Sequence, residues 1–549
     1  MRALSKAILI GVVAALIGCG PTASGCPEGS RPAGDGCVAI ERTDGGTPMT
    51  LPDGATPRPD GGADGDAGQM PCDVDAPDPI DPEGLDTNCD GVDGVDSMQV
   101  YVAPSGDDGN AGSREAPFRT LERAVERADG RAILVASGYY PSLPERLPDG
   151  THMHSGYDDR GEWVRQGEPA TITRSSTEPT NWHHTLVGED VILDRFDIRG
   201  RDDSASTAGA AMAAALVVEG LDGSAATLEL VDCLLVAGRG RDGDDGTAGA
   251  RGELGQETLE AESCVRGSDG ACTSAPLGRS AARPSACSTG GDGGASASAG
   301  VGAVGGGSGG APGMPGSAGE AGRPGVRGSD GRAAPELGAF TVSGYDIARG
   351  ADGITGSAGS GGGGGGGGGR GTSFTPCAGT ELVYRSATAF PGGAGGAGGA
   401  GGCGGAGGRG GGSGAASAAL VVRGVLVRAD GTTFRTGGGG MGGAGGEGGA
   451  GGMGGRGSAG SRPVCDRYGG AAGRLTWAGA AGGAGANGGA GGHGAGGTGG
   501  PSVGVALIDG ASFDRGEAVL FELGPPGLGG PSPGWRGPDG TRIEVHGAP

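Results

Sequence analysis

The chain reads as an all-β protein whose short strands stack as coils of one scaffold, with long glycine-rich insertions leaving it between coils. Three observations predict this. A short apolar strand recurs at residues 214–220 (AALVVEG), 338–344 (GAFTVSG), 418–424 (AALVVRG) and 504–510 (GVALIDG). Glycine supplies 137 of the 549 residues, against a usual share of roughly 7%. Aromatic residues make up only 3%, too few for a conventional core packed on Phe, Tyr and Trp. At roughly 150 residues per domain the length suggests three or four domains, but so much of it is low complexity that one ordered domain with insertions is the better reading.

Charge narrows the partners. The net charge is −24, which argues against nucleic acid and anionic lipid surfaces, because neutralising phosphates needs clustered Lys and Arg. Lys6 is the sole lysine. An acidic surface of this kind is chiefly a solubility device.

The first residues give an address. Arg2 and Lys6 form a positive start, residues 7–17 are an apolar run too short to span a bilayer, and Leu16-Ile17-Gly18-Cys19 follows. This stretch resembles a bacterial lipoprotein signal. The resemblance implies a signal peptide over 1–18, lipidation of Cys19, and anchoring at the outer membrane or cell surface. Several inserted acyl chains, at about 0.8 kcal/mol per buried CH₂, make such an anchor stable.

Export permits disulfides. Twelve cysteines less Cys19 leave eleven, so one thiol is free or pairs between molecules. Cys26 and Cys37 can close one small loop, and Cys72 and Cys89 flank an acidic stretch. Zinc is the competing use, but no C-x-x-C or paired Cys/His spacing is present.

Residues 19–71 form a tether. Its Asp-, Gly-, Pro- and Thr-rich part, 38–70, has too little apolar surface to offset its ordering entropy and spans roughly 30 Å as a coil. Residues 72–97 then concentrate carboxylates: Asp73, Asp75, Asp86, Asn88, Asp90 and Asp93 sit at the short spacing with which oxygen ligands wrap Ca²⁺. The stretch is similar to the Asp/Asn repeats of surface and thrombospondin-like proteins, yet it lacks a full EF-hand register. Calcium binding and a solvated acidic linker closed by Cys72 and Cys89 are its two readings. No other cofactor is indicated.

The ordered region, 98–237, begins with the alternating strand 99–103, a turn-rich loop to 113, and a helix ending near Ala128 on which Leu121, Val125 and Ala128 share a face. Strand 132–136 and Gly138-Tyr139-Tyr140 follow. The string YVAPSGDDGNAGSREAPFRTLERAVERA…ILVASGYY resembles the opening of secreted right-handed parallel β-helix proteins, the pectate-lyase-like class. Ser155-Gly156-Tyr157-Asp158 with Trp163-x-Arg165 is similar to myxobacterial lipoproteins of that type. The resemblance implies the fold class, a right-handed parallel β-helix, and leaves activity open, because the fold hosts lyases, hydrolases and adhesins. The residues agree: short apolar strands at 171–173, 185–187, 191–193, 196–198, 215–218, 228–231 and 234–236 suit stacked coils. Cys233 among them reads as a core thiol.

From 238 to 549, further coils alternate with glycine insertions, with returns expected at 337–342, 418–427 and 503–508 and the strand 518–523 following the last. The insertions have a period of three. Glycine occupies every third position over 307–331, and Gly-Gly-X repeats over 392–409 and 441–456. A helix with three residues per turn sets every X on one edge and lets glycine edges approach closely. These runs are similar to the glycine-rich PE-PGRS surface proteins of mycobacteria, for which the resemblance implies polyglycine-II packing. Plain disorder is one alternative, and for 307–331 a collagen triple helix is another, which the few prolines and nine glycine positions of that run disfavour.

No catalytic constellation stands out. Asp190, Asp194, Arg195, Asp197, Arg199 and Arg201 could line a lyase-like groove, but outward Asp and Arg on a coil are usually solvated surface. His152, His154, His183 and His184 offer HxH and HH pairs without a visible third ligand. Trp163 and Trp182 could stack on sugar or pack in the core. Two function classes follow. One is a non-catalytic surface lipoprotein, structural or adhesive, meeting an extracellular polysaccharide or cell-surface protein. The other is a lyase or glycoside hydrolase of extracellular glycans. The insertions favour the first, because they would crowd a catalytic groove.

Overall fold

The computed structural model describes residues 73–74, 76–81, 84–160, 163–165, 167–173, 182–202, 212–221, 225–258, 287–288, 308–309, 314–368, 393–462 and 477–547, with the backbones of a few short strands elsewhere. Cys19, Cys26, Cys37, Cys72 and Asp75 lie outside these residues. The chain divides into two units, 1–70 and 71–549. In the first, Ser30–Ala33 pairs antiparallel with Gly36–Ala39.

The second unit is nearly all-β and dominated by three long parallel sheets. The chain visits them in rotation. One circuit runs through Val191–Asp194, Phe196–Arg199 and Met212–Gly220, one strand in each sheet. The next runs through Thr227–Val231, Leu234–Ala237 and Ala416–Arg423, and the circuits stack until Arg542–His546 closes the third sheet. Adjacent circuits pair in register, as in Leu228 with Val427 and Leu216 with Leu420. At one end of the stack the helix Leu121–Ala128 covers the first strands, burying Leu121, Ala124 and Ala128.

The corner between the first and second sheets is a bend of one or two residues repeated in depth. Arg195, Asp232 and Gly431 take φ of 60°, 49° and 57°, and the bends stack through hydrogen bonds from Arg195 N–H to the Val231 carbonyl and from Asp232 N–H to that of Asp430, both 2.9 Å. Residues inside the stack form one column of Val, Leu, Ile and Phe, with Cys233 among them. The Cys233 thiol lies 3.2 Å from the Leu193 carbonyl, and burial pushes it up to about 12, so it is an unreactive core group, as its sequence setting predicts.

The third sheet is buried on both faces. Residues 212–218 and 416–422 are covered throughout, which is why they read as continuous apolar runs rather than alternations. Their outer cover is the segment around Phe340 and Tyr345, which packs on Val217, Val421, Val503 and Ala506. This corrects one expectation. Residues 338–344 do not form a coil: Ala339–Thr341 pairs antiparallel with Gly344–Asp346 as a hairpin outside the stack. Its apolar residues serve that second core. Met212–Gly220 therefore pairs directly with Ala416–Arg423, and among the described residues of 238–415 no strand joins the three long sheets.

The glycine segments are ordered where described, and they hydrogen-bond to one another at every third residue. Gly243, Gly246, Gly249 and Gly252 donate to the carbonyls of Met441, Ala444, Glu447 and Ala450 at 2.7–2.8 Å. Residues 477–500 lie at the centre, bonded to six neighbouring segments: 316–332, 350–368, 393–415, 437–461, 524–531 and 535–541. Six neighbours leave no room for side chains on two of its three edges. A Cβ on Gly488 would lie 2.4 Å or less from the Cys403 carbonyl, and the glycines along these edges repeat that close approach. Each residue so ordered loses more chain entropy than any other type, and a near-complete set of backbone hydrogen bonds offsets the loss. The disulfide Cys287–Cys403, with Cα atoms 5.3 Å apart, pins residues 287–288 to the segment 393–415, and Ser288 Oγ accepts the Gly401 N–H at 2.8 Å.

Candidate functional site

The polar groups singled out in the sequence gather where the acidic segment lies on the outer face of the first sheet. That segment is not a free linker. Val92 and Ile80 pack with Tyr101, Leu134, Tyr157 and Trp163 into a small core, so two apolar residues set among the aspartates dock it. Trp163 turns back at φ 44°, meets Tyr101 edge-on at 4.8 Å, and donates its indole N–H to the Arg114 carbonyl at 3.2 Å. It is a packing residue, like the buried Trp182.

Two residues on, the buried Arg165 donates to the Asp194 carboxylate and to the carbonyl of Asp81, the latter at 2.8 Å. Asp194 also meets His154 Nδ1 at 2.9 Å. Burial opposes the charge of Asp194, but His154 and the Arg165 guanidinium outweigh it and hold the carboxyl below the usual carboxylate range. Asp93 goes the other way. Burial raises it above that range, against the Asp81 amide at 3.0 Å and the Tyr157 hydroxyl at 2.9 Å, which both donate to it. Tyr157 is itself shifted upward by burial first and by Asp93 next.

The remaining carboxylates bind their own loop. Asp78 accepts the amides of Thr87 and Gly94. Asp86 accepts those of Asp90 and Gly91 at 3.1 and 2.9 Å. Asn88 Oδ1 takes the Asp90 amide at 2.9 Å, and Asp90 takes those of Val92 and Asp96. These are side-chain-to-backbone turns. Oxygens spent on amides are poorly placed to wrap a cation, and among the described residues no three His, Cys, Asp or Glu side chains converge as a metal site needs. Asp73 is exposed, and Cys89 is disulfide-bonded. A cavity of about 330 Å³ opens beside the loop, lined by Asp86, Asp93, Arg114 and Trp163. Arg114 already gives its guanidinium to the carbonyls of Asp90 and Gly91 at 3.4 and 2.9 Å.

The other groups do not converge either. Asp190 pairs with His152 at 3.3 Å, Asp197 with Arg199 at 2.7 Å, and Glu219 with both His184 and Arg423. Arg195 donates to the Gly167 carbonyl at 3.3 Å. His183 is buried and Arg201 half-buried. The residues that sequence reasoning missed are Arg114 and Arg165, which fasten the acidic segment. Arg165 had a signal in the Trp163-x-Arg165 pattern. Arg114 had none.

The glycine segments form a slab whose X residues stand in rows at every third position. Met441, Glu447, Ala450, Met453 and Arg456 are exposed along one edge. Among the described residues no helix is long and apolar enough to cross a membrane.

No family model matches the chain, and no solved structure matches it. An uncharacterized protein of Bacillus subtilis (strain 168), YwoF, is 32% identical over 103 residues, covering 18% of this chain and 20% of that protein. The chain thus spans about a fifth of the length of the curated relative it matches.

Proposed function

We propose that this is an exported lipoprotein, anchored through Cys19 at the outer membrane or cell surface, with a structural and adhesive role. Its stalk is a right-handed parallel β-helix carrying a slab of polyglycine-II-type helices. Three sheets visited in rotation support the coil, and the strong preference of parallel crossovers for the right hand supports its sense. The three-residue hydrogen-bond period supports the slab.

One observation carries the functional reading. The acids and bases gathered on the first sheet are bonded to each other or to backbone, so that they fasten one segment to another, while the glycine segments form a regular hydrogen-bonded lattice with exposed side chains at a fixed interval. A lattice of this kind suits display: it is rigid, flat and decorated at fixed intervals. The acidic balance turns the preference away from nucleic acid and toward an extracellular polysaccharide or a cell-surface protein.

The test uses the full chain in detergent micelles against polygalacturonate, alginate and chitin, with and without Ca²⁺. Retention on polymer or on cells without release of sugar is the expected result, and robust turnover overturns the proposal in favour of a lyase or hydrolase. In cells, Cys19→Ser should move the protein from the membrane to the soluble fraction.

A further inference from the structure

Segments 238–258 and 437–461 run parallel at one edge of the slab, joined by bonds such as Gly255 N–H to the Met453 carbonyl at 2.7 Å. Both turn glycines toward the lattice. A Cβ on Gly243 or Gly246 would strike the carbonyl of Gly412 or Arg409, and one on Gly443 or Gly446 that of Asp244 or Thr247. On the outside, every third residue from Asp242 and every third from Met441 form two rows side by side. Asp242 and Asp245 show the register, because their Oδ1 atoms accept the amides of Met441 and Ala444, both at 2.7 Å. The same offset sets Arg251 beside Ala450, Leu254 beside Met453, and Glu257 beside Arg456.

The two halves of this face differ. Near the stacked strands the charges are acidic, Asp242 and Asp245, and their carboxylates are held by lattice amides. The far half carries Arg251, Glu257, Glu447 and Arg456, two charges of each sign, in a chain whose net charge is −24. Among them stand Leu254 and Met453, each 55% exposed. Exposed apolar side chains gathered within a charged rim mark a contact surface. The pattern is also self-complementary about that apolar pair. Laid antiparallel on a second copy, with Leu254 on Leu254, the first row sets Arg251 of each copy against Glu257 of the other. In the adjoining row Met453 falls on Met453, and Arg456 falls over the small Ala450. The repeat of about 9 Å, three residues at about 3.1 Å each, is common to both rows, so both match at once. A slip of one repeat sets Leu254 against a charge, Arg251 or Glu257.

We infer that this face is where two copies of the chain meet. They associate antiparallel through the far halves of the two rows, about a two-fold axis at Leu254 and Met453, so that one self-complementary patch serves both partners. The matched region has equal numbers of positive and negative groups, which lets two strongly acidic chains touch without added repulsion, and Asp242 and Asp245 fall outside it. Two rows over a few repeats bury less than the about 800 Å² per partner of a lasting interface, so the association is reversible and grows with concentration. The inference is independent of the lipid anchor and of the adhesive reading, and a chain that proved catalytic would still carry this face.

The test is sedimentation velocity of the full chain in detergent, from about 1 µM to about 1 mM, the span in which a small interface forms. The sedimentation coefficient is expected to rise with concentration toward that of a dimer. Leu254→Asp, Arg251→Glu and Glu257→Arg should each move that rise to at least tenfold higher concentration. Arg251→Glu combined with Glu257→Arg should restore the wild-type curve, because the reversed charges meet again. Val326→Glu, at a side chain 74% exposed on segment 316–332, should leave the curve unchanged. All five positions are exposed, so each variant keeps the wild-type Tm. A wild type that stays monomeric throughout overturns the inference, and so does a dimer indifferent to the single reversals. A double reversal that stays weak overturns the antiparallel arrangement, since two copies lying parallel would instead set Glu257 against Arg456.

Discussion

Gly491 sits in the middle of the central segment, and replacing it with Ala distinguishes an ordered slab from a flexible one by the sign of the effect. A Cβ there would lie 2.5 Å from the carbonyl carbon of Ala406 and closer still to its oxygen, where ordinary contact begins at 3.4 Å. The neighbour is backbone, so segment 393–415 must withdraw by about an ångström. Overpacking of this kind costs about 1–3 kcal/mol. The withdrawal also strains the bonds from Gly405 to Gly489 and from Gly408 to Gly492, now 2.9 and 3.0 Å, each contributing about 1 kcal/mol net. Against this, Ala restricts the unfolded chain and returns about 0.4–1 kcal/mol. The balance is a loss of about 2–4 kcal/mol, which for the large unit 71–549, at about 2.1 cal/mol/K of unfolding entropy per residue, is a fall in Tm of roughly 2–4 °C. Differential scanning calorimetry of the full chain measures it, with the exposed Met453→Ala as a control expected to stay within about 0.5 kcal/mol. In a disordered run only the unfolded-chain term would survive. A Tm unchanged or raised by Gly491→Ala would refute the lattice.

Two further outcomes follow from the fastenings. Asp194→Asn leaves the buried Arg165 guanidinium without its anion, which should cost about 3–5 kcal/mol at neutral pH. The wild-type carboxyl is held below its usual range, so its contribution is present above the unfolded value and disappears as pH falls through the folded one, and the variant's stability profile should be flatter on the acid side. Asp93 is raised and has the opposite sign, so Asp93→Asn should steepen the net acid loss. Urea titrations from neutral to acid pH read both. The Cys287–Cys403 bridge closes a separation of 116 residues, so oxidised Cys403→Ser should be less stable than the oxidised wild type by about 5 kcal/mol in the chain-entropy account, and a reducing agent should abolish that difference.

Much of the scaffold was legible because its strands obey a local rule. Strands at 132–136, 191–193, 196–198 and 228–231 announce themselves by apolar residues and turn glycines, and the structure places strands there. The residues 338–344 misled for a physical reason: an apolar alternation says that one face is buried, and not what buries it. Phe340 and Tyr345 are buried against the outside of the third sheet rather than inside the stack. The acidic segment was legible only in part. Nine carboxylates within 73–96 suggest cation binding or solvation, whereas the bonds that Asp78, Asp86, Asp90 and Asp93 accept from backbone amides depend on a fold that spacing does not reveal. Arg114 and Arg165 fasten that segment from positions 23 and 84 residues away along the chain from Gly91 and Asp81, beyond any local pattern.

The glycine runs pose the reverse problem: their period was plain, and whether it meant order was not. The stack of parallel strands resolves this. A lone three-residue helix has no internal hydrogen bonds, so an isolated Gly-Gly-X run gains nothing by ordering. Segments 238–258 and 437–461 both leave the second sheet, after Leu234–Ala237 and Thr433–Thr436, which are themselves paired in register. Segments 393–415 and 477–500 both lead into the third, at Ala416–Arg423 and Ser502–Ile508, paired likewise. The stack therefore fixes the spacing and phase of each run at one end, and the first inter-run bonds, such as Gly240 to Gly438 and Gly414 to Thr498, extend the sheet pairing directly. Each later bond adds to a register already set, so the strand pairing removes the nucleation cost that would otherwise leave these runs disordered. On this reasoning, segments with the same composition but no strand at either end would not fold.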